Sequence, residues 1–400
     1  MRYISIALFA GCAFGLVLYA LQLVAVAVHR RAPARAPRLR RGISILKPLC
    51  GLDDDLVANL ECFCALDYAP YELLLGVRDR EDAAYPVAVA FARRHPRRVR
   101  VVLQRGEPGL NPKVNQLATL ARAARYDIVV VSDSNVRVAA EYLDEIAACL
   151  EDARVGLVTH PVAGVGEARF GSLMDNLHLC ASVGAGMIGA KRVVRQDIVV
   201  GKSMALRKSD LVALGGFEAF ADVLAEDYLL GKQISRTLQK RVVVGRRPVR
   251  NVSERRDARD FYRRYRRWSV MHRQAIGGPT YAAQALLNPT FVAAAGALAH
   301  PSLVTLGAFG VAAALKLAYD GAALKLLRGG AVPAAVVVAS PAKDALLACA
   351  WAVGLWRREI DWRGNPLRVL PGTRLRPVRA MREFANSSQS AAATAVDSAA

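Results

Sequence analysis

The chain has 400 residues, of which 54% are hydrophobic, and its formal net charge is +21. The apolar residues concentrate in the first 28 positions and between about 282 and 356, which argues against a wholly soluble protein and predicts a water-facing domain with membrane segments at both ends. The arginines lie beside these apolar stretches, and neither zinc-finger spacing nor an RNA-recognition signature is present, so the positive charge indicates a membrane surface and not nucleic acid.

The cysteines are odd in number, scattered, and contain no paired CxxC motifs. Such a pattern disfavours a disulfide framework and is typical of small buried side chains in a reducing compartment. The seven are Cys12, Cys50, Cys62, Cys64, Cys149, Cys180 and Cys349.

The first apolar run, residues 4–28, has the length needed to span a bilayer. It is followed by His29 and by six arginines between positions 30 and 41. Because positive residues flank the cytoplasmic end of a span, residues 1–29 are interpreted as an uncleaved anchor with the amino terminus outside.

Three further apolar stretches occupy residues 281–300, 302–324 and 331–356. Three crossings would place the arginine-rich tail outside, whereas the charge rule places it inside, so we expect one stretch to be re-entrant or interfacial. The third stretch carries Lys343 and Asp344, which are costly in lipid unless they pair with each other or face a protein interior. Residues 357–400 are interpreted as a basic tail whose last dozen residues are disordered.

Residues 42–253 alternate between strand-like and helix-like patterns. Strands are predicted at 43–46, 71–77, 99–103 and 128–131, and helices at 56–66, 85–94 and 113–124. This alternation predicts an α/β domain with a mostly parallel sheet, in which ligands bind beyond the carboxyl ends of the strands.

Acidic residues follow two of these strands. Asp79 and Asp82 come after the second strand, and Asp133 comes directly after the fourth, next to Ser134 and Asn135. Carboxylates in this position suit Mg²⁺ or Mn²⁺, although Asp and Ser are also common in turns and helix caps. The two interpretations stay balanced for Asp79, and the functional one is favoured for Asp133.

Two later segments carry further candidates. Glu226 and Asp227 begin a predicted helix, where carboxylates either complement the helix dipole or supply a general base. Residues 254–280 contain eight arginines interleaved with aromatic residues, which indicates an amphipathic interfacial helix whose arginines meet headgroups or a pyrophosphate.

These motifs together resemble the inverting glycosyltransferases with the nucleotide-diphospho-sugar transferase (GT-A) fold, and within them the ceramide glucosyltransferase family. The resemblance covers nearly the whole segment between the apolar ends. In chain order its segments are ISILKPLCGLD (43–53), NLECF (59–63), DYAPYE (67–72), NPKVN (111–115), YDIVVVSDSNVR (126–137), VGKSM (200–204), GGF (215–217), AEDY (225–228) and RYRRW (264–268).

The resemblance implies a role for each matching residue. Asp227 would be the general base, and Glu226 and Trp268 would lie at the acceptor. Asp133 would hold a divalent metal, Mn²⁺ or Mg²⁺. The residues implied for nucleotide-sugar binding are Asp79, Asp82, Lys113, Asp133, Arg264, Arg267 and Trp268.

The reaction implied is transfer of a sugar, most simply glucose, from a UDP-sugar to the hydroxyl of a membrane lipid such as ceramide, with inversion to a β-glycosyl lipid. The implied setting is a bacterial inner membrane with the catalytic domain, residues 42–253, in the cytoplasm. This chain departs from the family pattern twice. It has Asp79-Arg-Glu-Asp82 where a run of aspartates is expected, and it has no histidine within 183–189, His178 lying earlier.

Three alternatives remain open at this point. The acceptor can be a hopanoid or another membrane lipid, with the chemistry unchanged. A processive polysaccharide synthase would need more spans and a glutamine where this chain has Arg264. An inactive membrane scaffold is disfavoured because Asp133, Asp227 and Arg267 are all retained.

Overall fold

The computed structural model describes residues 1–362 and 364–378. Its helices are α1 (Arg2–Arg31), α2 (Leu56–Cys64), α3 (Ala84–Arg94), α4 (Pro112–Ala123), α5 (Tyr142–Leu150), α6 (Phe170–His178), α7 (Ala185–Val193), α8 (Lys208–Ala213), α9 (Glu226–Arg236), α10 (Ala258–Ile276), α11 (Gly278–Ala283), α12 (Pro289–Ala299), α13 (Leu303–Arg328) and α14 (Val336–Trp356). Its strands are β1 (Ile43–Pro48), β2 (Tyr71–Val77), β3 (Val99–Leu103), β4 (Ile128–Ser132), β5 (Val136–Arg137), β6 (Val155–Thr159), β7 (Val162–Val165), β8 (Ser203–Arg207), β9 (Arg241–Val244), β10 (Val249–Val252), β11 (Glu359–Trp362), β12 (Asn365–Val369) and β13 (Leu375–Pro377).

A seven-stranded sheet forms the centre of the domain, in the order β3-β2-β1-β4-β8-β6-β9. Its strands are parallel except β8, which runs antiparallel to β4 and β6. The continuous apolar runs of β2 and β4 are buried on both faces because helices cover both sides of the sheet. The predicted α/β sheet is confirmed, and the seven predicted elements occur with boundaries shifted by at most two residues.

A smaller three-stranded sheet, β5-β10-β7, extends the domain beyond β4. Strand β5 follows the Asp133 loop, and β10 leads into α10 through a short loop. The pairing of β10 with β5 therefore ties the end of β4 to the start of α10. This connection brings the helix that carries the RYRRW motif to the carboxyl edge of the main sheet.

Among the described residues, α1, α13 and α14 are long and apolar enough to cross a membrane. Residues 278–299 form a fourth apolar segment, which breaks at Asn288 and bends by 78°. The Asn288 side chain accepts a hydrogen bond from Thr290 N and so caps α12 on the far side of the break.

The charged residues in the apolar helices pair with one another, which is one of the two arrangements that the sequence left open for Lys343 and Asp344. Lys343 Nζ lies 2.9 Å from Asp344 Oδ1 and 3.0 Å from Asp320 Oδ2. Lys316 completes the group at 2.7 Å from Asp320 and 3.2 Å from Asp344. Two positive and two negative charges thus balance inside a protein environment between α13 and α14, which avoids the cost of isolated charges in lipid.

The carboxy-terminal segment is more ordered than a simple basic tail. Strands β11, β12 and β13 form an antiparallel sheet that buries Ile360 and Leu367 against α10. Leu224 N donates to Thr373 O at 2.9 Å, and Leu375 N donates to Asp222 O at 2.7 Å. Alternating apolar residues explain the strands, since one face finds a partner surface. The disorder predicted for the last dozen residues lies outside the described residues.

Candidate active site

A cluster of lysines and carboxylates lies beyond the carboxyl end of β4. Lys113 Nζ, at the start of α4, is 3.1 Å from Asp133 Oδ1 and 2.9 Å from Glu226 Oε1. Lys202 Nζ, just before β8, is 2.9 Å from Asp133 Oδ2. Each Asp133 oxygen therefore faces one ammonium group. The structure brings together Lys113, Asp133, Glu226 and, through Gly201, Asp227.

The NPKVN motif builds one side of this cluster. Asn111 caps α4 by accepting from Lys113 N and Val114 N, and Pro112 occupies the first turn, where its missing N–H costs nothing. Asn111 Nδ2 also donates to Val223 O at 2.7 Å and to Glu226 Oε2 at 3.3 Å. One asparagine thus fixes both the lysine and the glutamate that meet in the cluster.

Asp227 is held by backbone donors while its neighbour is held by side chains. Asp227 Oδ2 accepts from Gly201 N at 2.6 Å, and Oδ1 accepts from Tyr228 N at 2.7 Å. Burial and the adjacent Glu226 carboxylate raise the pKa of Asp227 to about 6, although Lys113 and the two N–H groups oppose the rise. A carboxylate with this pKa is suited to accept a proton near neutral pH.

The lysines and Asp133 reinforce each other's charges. Burial opposes ionisation of Asp133, but Lys113 and Lys202 hold its pKa well below the ordinary value. Although burial opposes it, the carboxylates of Asp133, Glu226 and Asp227 raise the pKa of Lys113. Burial lowers the pKa of Lys202, and the nearby Arg264 guanidinium adds to this effect. The cluster therefore presents cationic groups at the sheet edge.

Lys47, on β1, holds the chain that carries Asp133. Its side chain is fully buried, and Nζ donates to Asp133 O at 2.6 Å and to Ser132 Oγ at 3.2 Å. The ammonium also lies 4.0 Å from the centre of the Phe63 ring. Burial lowers the pKa of Lys47 to about 7. This residue fixes the backbone of the Asp133 loop.

Asp79 and Asp82 lie at the same edge of the sheet but have local partners. Asp82 Oδ1 accepts from Gly51 N and Ala84 N, both at 2.8 Å, and Asp79 Oδ1 accepts from Asp82 N at 3.0 Å. Among the described contacts, neither carboxylate touches Lys113 or Asp133. Asp82 thus ties the loop after β2 to the loop after β1, whereas the Asp79 bond stays within the loop after β2. The contact of either carboxylate with a nucleotide stays a prediction.

Helix α10 borders the site. Its amino terminus is capped by Asp257, whose side chain accepts from Asp260 N. The Arg264 guanidinium lies 4.8 Å from the centre of the Trp268 ring. Arg264 also contributes to the charge balance of Asp133 and Lys202, so it lies near the cluster. Arg267 and Trp268 lie one turn further along the same helix.

A buried aspartate on α6 holds Arg264 in place. Asp175 is 0% exposed and accepts from Tyr265 Oη at 2.7 Å. Its Oδ1 lies 3.6 Å from Arg264 Nε, and its Oδ2 lies 3.5 Å from Arg256 Nε. Burial raises the pKa of Asp175, but Arg264 and Arg256 outweigh this effect, and the pKa lies below its ordinary value. His178, one turn later on α6, packs its ring edge-on against Tyr265, and burial lowers the pKa of His178 to about 3.

An open cleft of about 680 Å³ lies beside these residues, between α10, the end of α14 and β11. We call it the arginine cleft because seven arginines and four acidic residues line it. The charged residues are Asp54, Arg255, Arg256, Asp260, Arg263, Arg264, Arg266, Arg267, Arg357, Glu359 and Asp361. Its size is in the range of small-molecule sites, and its charge favours an anionic ligand.

A divalent metal fits this site only with help from the substrate. The described residues contain no group of three His, Cys, Asp or Glu side chains that could hold an ion. Asp133 supplies one carboxylate, 23% exposed. Mg²⁺ is commonly held by one or two carboxylates together with substrate phosphates, so Asp133 fits as the protein ligand of a diphosphate-bound ion.

Three residues of the site were not predicted from the sequence. Lys202 lies in the VGKSM segment and Lys47 in the ISILKP segment. Both segments carry the family resemblance, so the sequence pointed to the right stretches of chain. Asp175 had a weaker signal, a lone carboxylate among apolar residues of a helix. All three act through partners distant in sequence.

The mixed sheet, the carboxylate and lysine groups at its edge and the flanking apolar helices define the class as a GT-A glycosyltransferase with membrane-type helices. Residues 7–375 match the profile described as Glycosyl transferase family 21, and the chain therefore belongs to this family.

Curated relatives carry ceramide glucosyltransferase names. The chain is 31% identical over 245 residues to ceramide glucosyltransferase 1 of Caenorhabditis elegans, covering 58% of this chain and 50% of that protein. It is 29% identical over 205 residues to ceramide glucosyltransferase of Komagataella phaffii, covering 46% and 40%. The chain thus spans about half the length of the curated relatives it matches.

Solved structures of lower identity are also similar. The mannosyltransferase PcManGT from Pyrobaculum calidifontis, in complex with GDP-Man and Mn²⁺, is 21% identical with a TM-score of 0.48, covering 89% of this chain and 99% of that chain. S. aureus TarS 1–349 is 15% identical with a TM-score of 0.37, covering 82% and 96%.

Proposed function

We propose that this protein transfers a sugar, with glucose as the first candidate, from a UDP-sugar to the hydroxyl of a membrane lipid, with ceramide as the first candidate acceptor. The observation that carries the proposal is the placement of Asp227, with its pKa of about 6, beside the lysine and carboxylate cluster at the sheet edge. Membership of glycosyltransferase family 21 and the names of the curated relatives support the substrate classes.

In the proposed reaction Asp227 takes the proton of the acceptor hydroxyl as the hydroxyl oxygen attacks the anomeric carbon. The bond from that carbon to the diphosphate oxygen breaks, and UDP leaves with the bonding pair. One displacement inverts the anomeric centre, so a UDP-α-sugar gives a β-glycoside. The N–H groups of Gly201 and Tyr228 keep Asp227 oriented for this step.

Cationic side chains would stabilise the leaving diphosphate. Lys113 and Lys202 already face an anionic group, Asp133, and Arg264 approaches from α10. Arg267 is assigned to the same task. When bound by Asp133 and the diphosphate, Mn²⁺ or Mg²⁺ supplies further positive charge to the leaving group.

We further propose how the chain lies in a bacterial inner membrane, with the catalytic domain in the cytoplasm. Both α1 and α13 end at the domain, through a 2.8 Å contact of His29 with Gly245 O and an ion pair of Arg328 with Glu167. The outer end of α1 meets α12, where Ser5 Oγ donates to Gly296 O at 2.8 Å. Residues 278–299 would therefore lead outward, and α13 would return.

Helix α14 would then lie along the cytoplasmic interface and not cross. It packs on α6 and α10 of the catalytic domain, from Val336 and Lys343 near its start to Gly354 beside Ser269 near its end. A crossing helix would leave the domain. This arrangement keeps the arginine-rich residues after 356 on the cytoplasmic side, as the distribution of positive charge requires.

The placement is tested with variants that each keep or carry a single cysteine, all others being replaced, by labelling with a membrane-impermeant thiol reagent. We expect Leu303→Cys, at the outer start of α13, to be labelled from outside the cell membrane. Gly330→Cys and the native Cys349 of α14 should be labelled only after permeabilisation. External labelling of Gly330→Cys would contradict the proposed direction of α13.

The activity is tested by product analysis with membranes containing the protein. Ceramide and a hopanoid polyol are each offered with UDP-glucose, UDP-galactose, UDP-glucuronic acid and UDP-N-acetylglucosamine, with Mn²⁺ or Mg²⁺ and with chelator. A metal-dependent β-glycosylceramide that Asp227→Asn abolishes supports the full proposal. If only the hopanoid is glycosylated, the proposed mechanism stands and the acceptor is a hopanoid instead of ceramide. No lipid product under any condition refutes the proposed transfer.

A further inference from the structure

The arginine cleft holds more positive charge than the transfer reaction uses. Arg256 and Arg264 are paired with Asp175. By contrast, Arg263, Arg266 and Arg357 form no ion pair with any residue that the structure describes, although all three line the same cleft. The side chains of Arg263 and Arg266 are exposed on α10, and Arg357 is exposed just beyond α14.

Three unpaired guanidinium groups around one cleft repel one another, and a bound anion relieves this repulsion. A guanidinium presents a planar fork of N–H donors that matches two phosphate oxygens, so a phosphate monoanion or diester is the ligand that the three groups recognise best. The acidic residues of the cleft do not remove the excess, since the seven arginines outnumber the four acids.

The position of the cleft indicates where the phosphate comes from. One face of α14 packs on the domain, whereas Val337, Val338 and Trp356 on its other face are exposed. Trp356, at 74% exposure, directly precedes Arg357. Tryptophan beside arginine at the end of an apolar stripe is typical of the headgroup layer of a membrane. The cleft therefore opens at the depth of lipid phosphates.

We propose that Arg263, Arg266 and Arg357 form a binding site for the phosphate of an anionic phospholipid headgroup, using arginines other than Arg264 and Arg267, which are assigned to the donor diphosphate. The inference rests on the interfacial placement of α14 proposed above, and not on the identity of the transferred sugar. A lipid held here fixes α10, and with it Arg264 and Trp268, at the membrane surface where the acceptor enters.

The test is lipid binding by the full chain in detergent, measured by native mass spectrometry with phosphatidylglycerol or phosphatidylcholine added at equal concentration. We expect phosphatidylglycerol to bind about tenfold more tightly, because its headgroup has a net negative charge, whereas the choline cation of phosphatidylcholine offsets its phosphate and is repelled by the arginines. The variant Arg263→Gln/Arg266→Gln/Arg357→Gln should lose this preference. Equal binding of the two lipids by the unmodified protein would overturn the proposal.

Two further variants separate the site from bulk charge and from misfolding. Arg93→Gln/Arg97→Gln/Arg236→Gln removes the same charge from exposed positions of the catalytic domain outside the cleft, and it should keep the preference. Arg263→Lys/Arg266→Lys/Arg357→Lys keeps the charge but loses the planar fork, so it should keep only part of the preference. Loss in the first variant, or full preference in the glutamine variant, would refute the assignment.

A competition arm distinguishes the lipid from a soluble source of phosphate. Inorganic phosphate and UDP are added separately at millimolar concentration to the protein with phosphatidylglycerol bound. We expect the lipid to remain bound in both cases. Displacement by either would assign the three arginines to a soluble ligand and overturn the lipid proposal. Because binding is read without sugar transfer, the outcome is independent of the proposed activity.

Discussion

At the scale of single residues, the candidate site works by placing like charges beside one carboxylate and opposite charges beside another. Burial is the largest cause of the raised proton affinity of Asp227, and the adjacent Glu226 carboxylate, itself paired with Lys113, adds to it. Asp133, held between Lys113 and Lys202, is kept anionic. Two acids near each other thereby acquire different pKa values, and both are largely ionised at neutral pH.

The raised pKa of Asp227 predicts the pH dependence of transfer. A base must be unprotonated, so kcat/KM should rise about tenfold per pH unit below pH 6 and level off above it. Glu226→Gln removes the negative charge next to Asp227 and should move this rising part of the pH profile, its acidic limb, to lower pH. Glu218→Gln, at an exposed glutamate, is the control and should leave the limb in place. An unshifted limb in Glu226→Gln would contradict the assignment.

Asp175→Asn should destabilise the protein because it leaves Arg264 and Arg256 without their buried carboxylate. Breaking a buried ion pair costs about 3 kcal/mol. Asp152→Asn, which breaks ion pairs around a surface aspartate, should lower the stability much less, because exposed pairs are screened by solvent. The two shifts in Tm are compared in the same detergent. Equal small shifts would mean that Asp175 does not hold α10.

The sequence could supply Asp133, Glu226, Asp227 and Lys113 because each stands at the end of a strand or the start of a helix. The sequence could not predict which of these residues form ion pairs with one another. Asp133 and Lys202 are separated by β5, β6, β7 and three helical segments, and they meet only because β8 returns antiparallel beside β4. Whether Asp79 or Asp82 contacts the nucleotide stays open for the same reason.

At the scale of elements, the contact between α6 and α10 decides where the RYRRW motif lies. Gly171 lets the start of α6 approach the chain at the start of α10, and Ser172 Oγ accepts from Arg256 N at 2.8 Å. Tyr265 reaches back from α10 to Asp175. The two helices are thus joined at both the backbone and the side-chain level, so a change in one shifts the arginines of the other.

Gly171→Ala should therefore disturb α10, because an added Cβ would lie 2.0 Å from Asp257 O. We expect a stability loss of about 1–3 kcal/mol, read as a lower Tm, together with weaker donor binding. Gly186→Ala is the matched control, since its Cβ would meet its nearest neighbour, Gln22, at 3.6 Å. A Gly171→Ala protein with unchanged Tm and unchanged KM for the donor would contradict this account.

At the scale of the whole molecule, hydropathy identifies the apolar segments but not their directions. Length and composition make α14 as good a candidate span as α13. They differ in packing. Helix α13 packs on α1 and α12 as well as on the catalytic domain, whereas α14 packs mainly on α6 and α10. The sequence could therefore predict the conflict between apolar stretches and positive charge, while the helix that resolves it depends on tertiary contacts.

The four-charge cluster between α13 and α14 should behave as one unit. Lys343→Met leaves Asp320 and Asp344 with one cation, Lys316, and should cost about 3–5 kcal/mol. Asp320→Asn/Lys343→Met keeps a balanced Lys316–Asp344 pair and should recover part of the loss. Both variants are compared by two measurements: the fraction of monodisperse protein after detergent extraction, and the Tm of that protein. A double variant less stable than the single would show that the charges act separately.

The docking of the carboxy-terminal sheet has a consequence for biosynthesis. Residues 373–375 bond to the chain at 222–224, immediately before the helix that carries Glu226 and Asp227. These strands follow every apolar helix that the structure describes, so they leave the ribosome after those helices. The loop before Glu226 and Asp227 therefore receives these contacts late in synthesis, after the apolar helices have been made.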